Sequence, residues 1–309
     1  MMVGGVAVEL ERSSGVATRS GTPRPELFLA YGVLGLAGRG QGSATRVTRA
    51  GELDEADINA VHPGSIARRE QLVWNEQRQQ VDALIGWFYR DLCLRVAKDG
   101  SQPDAAAVAR VLAQALAPHS AALVHEDAAA ADWLTRLRWL ALVRPELTLP
   151  SIGEEQLTDL IEQCCAGCRS RAEVAAKPKL PWLAALLTRE QVLQLDEQAP
   201  AALTVPSGSR IRLDYGAADA TRPPLLAVRL QELFGLRATP TVAGGRMPVL
   251  LHLLAPNYRV EQVTSDLASF WATTYQQVRK DLRARYPKHS WPEDPLSAPP
   301  QAKGRPRPG

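Results

Sequence analysis

Short runs of apolar and β-branched residues, separated by turn-forming residues, dominate the first hundred positions. Three such runs occupy residues 6–12, 26–36 and 43–49, with Gly, Ser and Pro clusters between them. This arrangement predicts the short strands of a small barrel or sandwich. A further strand pair is predicted around the polar segment NEQRQQ, because every second residue from Val81 to Trp87 is apolar. A helix is the alternative for this last segment.

The pattern changes to a helical one from Pro103. Residues 103–119 are rich in Ala and Leu and carry Pro near both ends, as a helix between two boundaries does. Trp133, Leu137 and Leu140 then recur at helical spacing, and two more helical stretches follow before Pro200. Residues 101–200 are therefore predicted to form a helical segment.

The last third mixes both patterns. Apolar and charged residues alternate over 203–216, which predicts a strand after a Pro-Ser-Gly turn. Thr264 or Ser265 can cap a helix that runs to about Tyr286, a length of roughly 33 Å at ~1.5 Å per residue. Its predicted inner face is apolar and its opposite side basic. That inner face consists of Leu267, Phe270, Trp271, Thr274, Val278 and Leu282.

These patterns predict an α+β protein. A β-rich part covers residues 1–100, a central helical segment 101–200, and a C-terminal mixed α/β domain 201–292 that ends in the long amphipathic helix. Residues 293–309 are Pro-rich and basic, so we expect a disordered tail.

Charge is unevenly distributed along the chain, whose formal net charge is +3. Residues 201–309 carry 15 Lys and Arg against 8 Asp and Glu, whereas the first 200 residues carry 21 against 25. A basic C-terminal third indicates a surface that faces a polyanion. A solvated surface with a basic tail is the alternative.

Several classes of protein are disfavoured by composition. No window approaches the ~18 uncharged apolar residues of a membrane span, so we expect no membrane contact. The N-terminus lacks the basic start of a signal peptide, and the 4 cysteines are too few for a disulfide scaffold. We therefore expect a reduced, cytoplasmic protein.

Two short motifs resemble functional sites without the context those sites need. Asp54-Glu55-Ala56-Asp57 has the letters of a helicase metal-binding box, but no preceding buried strand and no phosphate-binding loop accompany it. An acidic turn or short helix is predicted there instead. Cys165 and Cys168 form one C-x-x-C pair, which cannot complete a zinc site alone and is predicted to pack as small apolar residues. The glycines at 35, 38, 40 and 42 are predicted to form a loop. No catalytic and no metal-ligating set is predicted.

The segments PSGSRIRLDYG, AVRLQELFG, SDLASFW and VRKDLRARYPKHSWPEDP occur in a characteristic order across residues 206–295. In order and spacing they closely resemble the C-terminal domain of the bacterial HrpB family of DEAH-type ATP-dependent helicases. More weakly, residues 180–200 resemble the preceding segment of that family, and the β-rich start is similar to its small OB-like domain. Asn75 departs from the acidic residue that commonly follows the Trp there. The resemblance implies an N-terminal β-rich OB-like barrel.

This resemblance implies a role in ATP-driven nucleic-acid remodelling, with ATP and Mg²⁺ bound by two motor lobes that this sequence lacks. We therefore expect no cofactor in this chain and no ATP hydrolysis by it. Because the lobes precede these regions in the family, the sequence is expected to be either a truncated gene product or a separate gene. The expected partners are single-stranded RNA or another nucleic acid, and the helicase motor lobes.

The candidate nucleic-acid contacts are cations of the C-terminal third, chosen because Arg and Lys bind phosphate. They are Arg210, Arg212, Arg246, Arg279, Lys280, Arg283, Arg285 and Lys288. A surface salt bridge is the alternative for each. Trp271 and Trp291 are predicted to be packing residues. An interaction module that docks on protein without binding nucleic acid is the alternative function.

Overall fold

The computed structural model describes residues 8–10, 27–34, 45–98, 103–216 and 222–302. The predicted glycine loop at 35–42 and residues 303–309 of the predicted tail lie outside the described residues. Within the described part, the protein is α+β, which confirms the predicted fold class.

The elements follow one another in a β-rich, then helical, then mixed order. The first strands and helices are β1 (Val8–Leu10), β2 (Phe28–Leu34), β3 (Thr45–Glu52), α1 (Glu55–Val61), β4 (Ile66–Asn75), β5 (Gln80–Tyr89), β6 (Leu92–Lys98) and α2 (Ala105–Leu116). The helical part holds α3 (Ser120–Glu126), α4 (Ala128–Val143), α5 (Glu154–Cys164), α6 (Arg171–Ala176), α7 (Leu180–Ala184) and α8 (Arg189–Gln198). The last part holds β7 (Ala202–Thr204), β8 (Arg210–Arg212), β9 (Leu225–Arg229), β10 (Thr241–Val242), β11 (Met247–Pro248), β12 (Leu250–Leu254), β13 (Val260–Thr264), α9 (Leu267–Ser269) and α10 (Tyr275–Arg285).

The chain divides into two compact units. The first comprises Met1–Leu116 and Cys165–Val174, and the second comprises Ala117–Cys164 and Ala175–Gly309. This division cuts the chain differently from the boundaries at 100 and 200 drawn from the sequence, because α2 packs against β4 and β5 of the first unit.

The first unit contains two three-stranded sheets among its described residues. In one, β3 lies between β1 and β2; in the other, β4, β5 and β6 form an antiparallel meander. The meander confirms the predicted strand pair and excludes the helical alternative. No closed barrel is formed by the described strands, and the OB-like barrel stays a prediction.

Strand β5 follows the predicted alternation only as far as Ile85. Val81, Ala83 and Ile85 are buried, but the pairing of β5 with β6 shifts between Trp87 and Phe88. Phe88 is consequently buried, whereas Trp87 is only half-buried and stacks under Arg95, with 3.3 Å between the guanidinium carbon and the ring centre.

The acidic tetrapeptide begins helix α1, as the prediction of a short helix or turn required. The Asp54 side chain accepts a hydrogen bond from the backbone N–H of Asp57 at 2.8 Å, and the Asp57 side chain accepts one from the N–H of Asp54 at 3.1 Å. This reciprocal cap satisfies two orphan donors of the first turn. Both carboxylates are engaged in the cap, so the segment does not fit the role of a Mg²⁺-holding box.

The second unit packs its helices and its strands around a common apolar core. Trp133, Leu137 and Leu140 of α4 are buried as predicted, and Asp127 caps this helix. Strand β12 lies between β13, with which it is antiparallel, and β9, with which it is parallel. The strand predicted after the Pro-Ser-Gly turn is β8, and it pairs with β7 before the turn to form a hairpin.

Residues 293–302 differ from the disordered tail predicted there. The N–H of Gly235 donates to the carbonyl of Pro295 at 2.9 Å, and the N–H of Gln301 donates to that of Gln231 at 2.9 Å. Pro295 is buried. These contacts hold the segment against the second unit, because backbone pairing supplies the order that its composition alone did not indicate.

Ala105–Glu126 is the described stretch that could cross a membrane by length and composition. It consists of α2, a 3₁₀ turn at Ala117–His119 and α3. This is weak evidence for a span, because core helices of soluble proteins have the same composition. Val108, Leu112 and Leu116 of α2 are buried in the protein.

Candidate nucleic-acid interface

The predicted basic helix is a composite segment that begins later than the sequence indicated. Asp266 is its N-cap and accepts a hydrogen bond from the N–H of Ser269 at 2.9 Å. The hydroxyl of Thr264, one of the two predicted caps, instead accepts a bond from the N–H of Asp266 at 2.9 Å. The prediction of Thr264 or Ser265 as cap is therefore wrong by one or two residues.

A π-helical turn at Phe270–Thr274 separates α9 from α10 and changes the buried face. A π turn closes its hydrogen bond over five residues, here from the N–H of Tyr275 to the carbonyl of Phe270. The extra residue rotates the following helix, so Tyr275 is fully buried while Thr274 and Val278 are only half-buried. The predicted inner face is thus confirmed at Leu267, Phe270, Trp271 and Leu282 but missed Tyr275.

Aromatic packing anchors this segment to the second unit. The Trp271 and Tyr275 rings meet edge-on with centroids 5.2 Å apart, beside Phe234 and Phe270. The indole N–H of Trp271 donates to the carbonyl of Leu236 at 2.8 Å. Trp291 is likewise buried, which confirms both tryptophans as packing residues.

Four of the eight candidate cations are engaged in ion pairs. Each of these guanidinium groups binds a carboxylate from a distant part of the second unit. The pairs are Arg212 with Asp132 at 2.6 Å, Arg246 with Glu146 at 2.7 Å, Arg279 with Glu293 at 3.2 Å and Arg285 with Glu261 at 2.5 Å. At these four positions the structure contains the salt bridge that was the alternative, and nucleic-acid contact by them stays a prediction. The hydrogen bond that Arg212 donates to Asp132 raises the pKa of Arg212.

The side chains of the other four candidates are exposed and make no hydrogen bond or ion pair with any residue that the structure describes. They are Arg210 on β8, Lys280 and Arg283 on α10, and Lys288 just beyond it. Lys280 and Arg283 are three residues apart on a helix, so their side chains leave the same face. The structure therefore brings a pair of unneutralised cations together on α10 and places Arg210 on a different element.

One exposed aromatic residue of the second unit, Tyr258, was not among the candidates chosen from the sequence. Tyr258 lies in the turn between β12 and β13, is 53% exposed, and has a backbone φ of 66°. A left-handed backbone is rare for a bulky side chain. No sequence pattern distinguishes this residue from an ordinary strand end.

The clustered cysteines at 164, 165 and 168 are placed as packing residues, although not all of them lie on a helix. Cys164 is the last residue of α5, and Cys165 and Cys168 lie in the following turn. All three are buried. Across the described ranges, no group of three or more His, Cys, Asp or Glu is placed to hold a metal ion.

Residues 160–295 match the family model described as the ATP-dependent helicase C-terminal domain of HrpB. Residues 160–295 therefore resemble an HrpB-type C-terminal domain. The match includes the composite helix and all eight candidate cations, and it begins before residue 206, where the close resemblance in sequence begins.

Comparison with a curated relative and two solved structures extends this likeness. The chain is 39% identical over 171 residues to the ATP-dependent RNA helicase HrpB of Escherichia coli K12, covering 53% of this chain and 21% of that protein. It also resembles the crystal structure of the E. coli DExH-box NTPase HrpB, with TM-score 0.57 and 27% identity over 90% of this chain and 34% of that one. A second E. coli structure, titled DEAH/RHA helicase HrpB, gives TM-score 0.53 and 26% identity over 92% and 34%. The chain thus corresponds to the C-terminal region of an HrpB-like helicase and spans about a fifth of the curated relative.

Proposed function

We propose that this chain is a non-catalytic accessory region of an HrpB-like ATP-dependent helicase, where it binds single-stranded nucleic acid and docks to the motor. The observation that carries the proposal is the exposed pair Lys280 and Arg283 on α10. Their charges are not neutralised by any described residue, whereas the opposite side of the segment is buried.

Electrostatics makes this surface suited to a phosphate backbone. A cation already paired with a carboxylate must exchange that partner for phosphate, whereas Lys280 and Arg283 only exchange water and counterions. The segment is held by buried Trp271 and Tyr275, so the two charges lie on a fixed scaffold. Cations near the C-terminal end of α10 also interact favourably with the helix dipole, so part of their effect is to stabilise the helix itself.

RNA is the substrate class that the comparisons favour. The E. coli relative is named as an ATP-dependent RNA helicase, and this chain matches about a fifth of that protein. We propose that ATP and Mg²⁺ belong to motor lobes of such a helicase and that the protein is cytoplasmic.

A second candidate function is protein docking without nucleic-acid binding. Trp182, Leu186 and Leu193 of the helical part are 42%, 47% and 60% exposed. Large exposed apolar side chains are typical of protein interfaces. The four ion-paired arginines fit this alternative as well. Carboxylates already neutralise their charges, so each would have to exchange its partner in order to bind phosphate.

Salt-dependent binding of the full chain to a labelled single-stranded RNA distinguishes the two functions. Lys280→Gln together with Arg283→Gln should weaken binding and make the log–log salt slope shallower by about 1.4, since each single-strand phosphate contact contributes about 0.7. Arg279 is left intact because it also donates to the carbonyl of Trp291 at 2.9 Å.

The matched control is Arg110→Gln with Arg189→Gln, which removes the same charge from two exposed positions on other helices. This control should bind nearly as the wild type does. Equal effects of the two double variants, or no salt-sensitive binding by the wild type, would contradict nucleic-acid binding through α10. Retention by a motor-lobe fragment in that case would support docking.

A further inference from the structure

The turn between β12 and β13 presents an aromatic ring to solvent in an unusual backbone conformation. The N–H of Tyr258 donates to the carbonyl of Ala255 at 2.9 Å, and the N–H of Ala255 donates to that of Arg259 at 2.8 Å. The side chain of Asn257 accepts from the N–H of Arg259 at 3.1 Å. These bonds hold Tyr258 at a φ of 66°, where a bulky residue is strained.

A buried cation lies on the protein side of this ring. The guanidinium carbon of Arg229 is 6.0 Å from the ring centre, and Arg229 pairs with the buried Glu232 at 3.0 Å. Arg229 is 7% exposed and its Nη2 has no hydrogen-bond partner among the described residues. One side of the Tyr258 ring therefore faces a fixed positive charge, and the residue as a whole is more than half exposed.

An ion pair connects this turn to the basic helix. Glu261 of β13 receives two hydrogen bonds from Arg285 at the end of α10. Arg259 is exposed and lies two residues before Glu261, a distance of about 7 Å at ~3.3 Å per extended residue. Tyr258 lies one residue further. The backbones of Tyr258 and Arg259 thus lie within about 10 Å of Glu261, the residue that Arg285 binds.

We propose that Tyr258 stacks on a base of the bound single strand and that Arg259 contacts the neighbouring phosphate. The inference rests on the proposed function and names a specific base-contacting residue within it. Aromatic rings and cations in alternation are the elements with which proteins hold single strands without reading sequence. The backbone hydrogen bonds of the turn are present before binding, so the backbone loses little conformational freedom on stacking.

The test compares Tyr258 variants of the full chain in binding a fluorescent adenine oligoribonucleotide and a matched oligomer with abasic positions. Tyr258→Asn should weaken binding of the adenine oligomer by roughly 5-fold or more, and Tyr258→Phe should restore it, because the ring face is retained. Binding of the abasic oligomer should be the same for wild type and Tyr258→Asn. Arg259→Gln should make the salt slope shallower by about 0.7.

Folding controls separate stacking from a structural role. Asn adopts the left-handed backbone readily, so Tyr258→Asn should melt no lower than wild type. The control Trp182→Leu removes another exposed ring of the second unit and should bind normally. Wild-type affinity of Tyr258→Asn, with weakened binding by the Lys280 and Arg283 double variant, would overturn this inference alone. Absence of binding by the wild type would overturn the proposed function and this inference together.

Discussion

At the scale of single residues, Tyr275 shows how one buried polar group ties distant parts of the second unit together. Its ring packs among Trp271, Phe270 and Phe234, and its hydroxyl donates to the carbonyl of Pro292 at 2.8 Å. Burial raises its pKa from 10.0 to about 12. The contact also helps to place the segment after α10, which the sequence left without structure.

The first prediction concerns stability at alkaline pH. Tyr275 ionises near pH 10.0 when unfolded and near pH 12 when folded, so its contribution is complete below pH 10 and is lost as the pH rises towards 12. Tyr275→Phe should lower the free energy of unfolding by about 1 kcal/mol at pH 8, through the lost hydrogen bond. Between pH 10 and 11.5 the variant should lose less stability than the wild type.

Urea unfolding at a series of pH values measures this difference. Tyr31→Phe is the control, because Tyr31 is 67% exposed and its removal should leave the alkaline profile unchanged. Tyr215, whose pKa burial also raises, keeps a residual slope in both proteins. Parallel profiles for wild type and Tyr275→Phe would show that the hydroxyl is solvated in the folded state.

At the scale of elements, the turn between β10 and β11 is fixed by an arginine from another part of the unit. Arg144 donates to the carbonyl of Ala243 at 3.0 Å and to the side chain of Gln198 at 2.6 Å. It also shares Glu146 with Arg246. Gly244 lies against this cluster with a φ of 64°. The position therefore needs a residue that adopts a left-handed backbone and that has no side chain.

The second prediction tests that requirement. A Cβ at Gly244 would lie 2.5 Å from a terminal nitrogen of Arg144, which is held by three hydrogen bonds. Gly244→Ala should therefore lower the free energy of unfolding by about 2–3 kcal/mol, from backbone strain and displacement of Arg144. Gly245→Ala is the matched control, because its φ is also positive but nothing lies within 4 Å. Thermal or urea unfolding would contradict the account if both variants lost equal stability.

At the scale of the whole molecule, the chain comprises a β-rich unit and a second unit that holds most of the residues matched by the HrpB-type family model. The sequence contains no Gly-Lys-Ser or Gly-Lys-Thr of a phosphate-binding loop. Contrary to the expectation from sequence, its acidic tetrapeptide does follow a strand, β3, in which Val47 and Ala50 are buried, but Asp54 and Asp57 of the tetrapeptide are used to cap α1.

The third prediction follows at this scale. The purified 309-residue chain should release no phosphate from ATP above a mock purification, with or without single-stranded RNA. Phosphate release in the presence of Mg²⁺ and RNA is the measurement, and a helicase with intact motor lobes is the positive control. Turnover that persists through further purification and follows the protein peak would show a nucleotide site outside the expected motifs.

Local sequence determined those features whose causes lie within a few residues. The alternation on β8 and beyond buried Leu213 and Tyr215 and exposed Arg210 and Arg212, as the period-2 pattern predicted. The helix start at Asp54 and the apolar stripe of α4 follow from neighbours three and four positions away. The motif order across residues 206–295 likewise carried the family resemblance without any tertiary information.

The tertiary structure decided which of the candidate cations keep a charge that no carboxylate neutralises. Whether an arginine is neutralised depends on its partner, and the partners of Arg212 and Arg246 lie 80 and about 100 positions away. The π turn that buried Tyr275 and the seating of residues 293–302 likewise depend on surfaces made by other elements. Periodicity fixes which side of an element is apolar, but only the folded chain brings an acid to a base, because that distance is not a local property of the sequence.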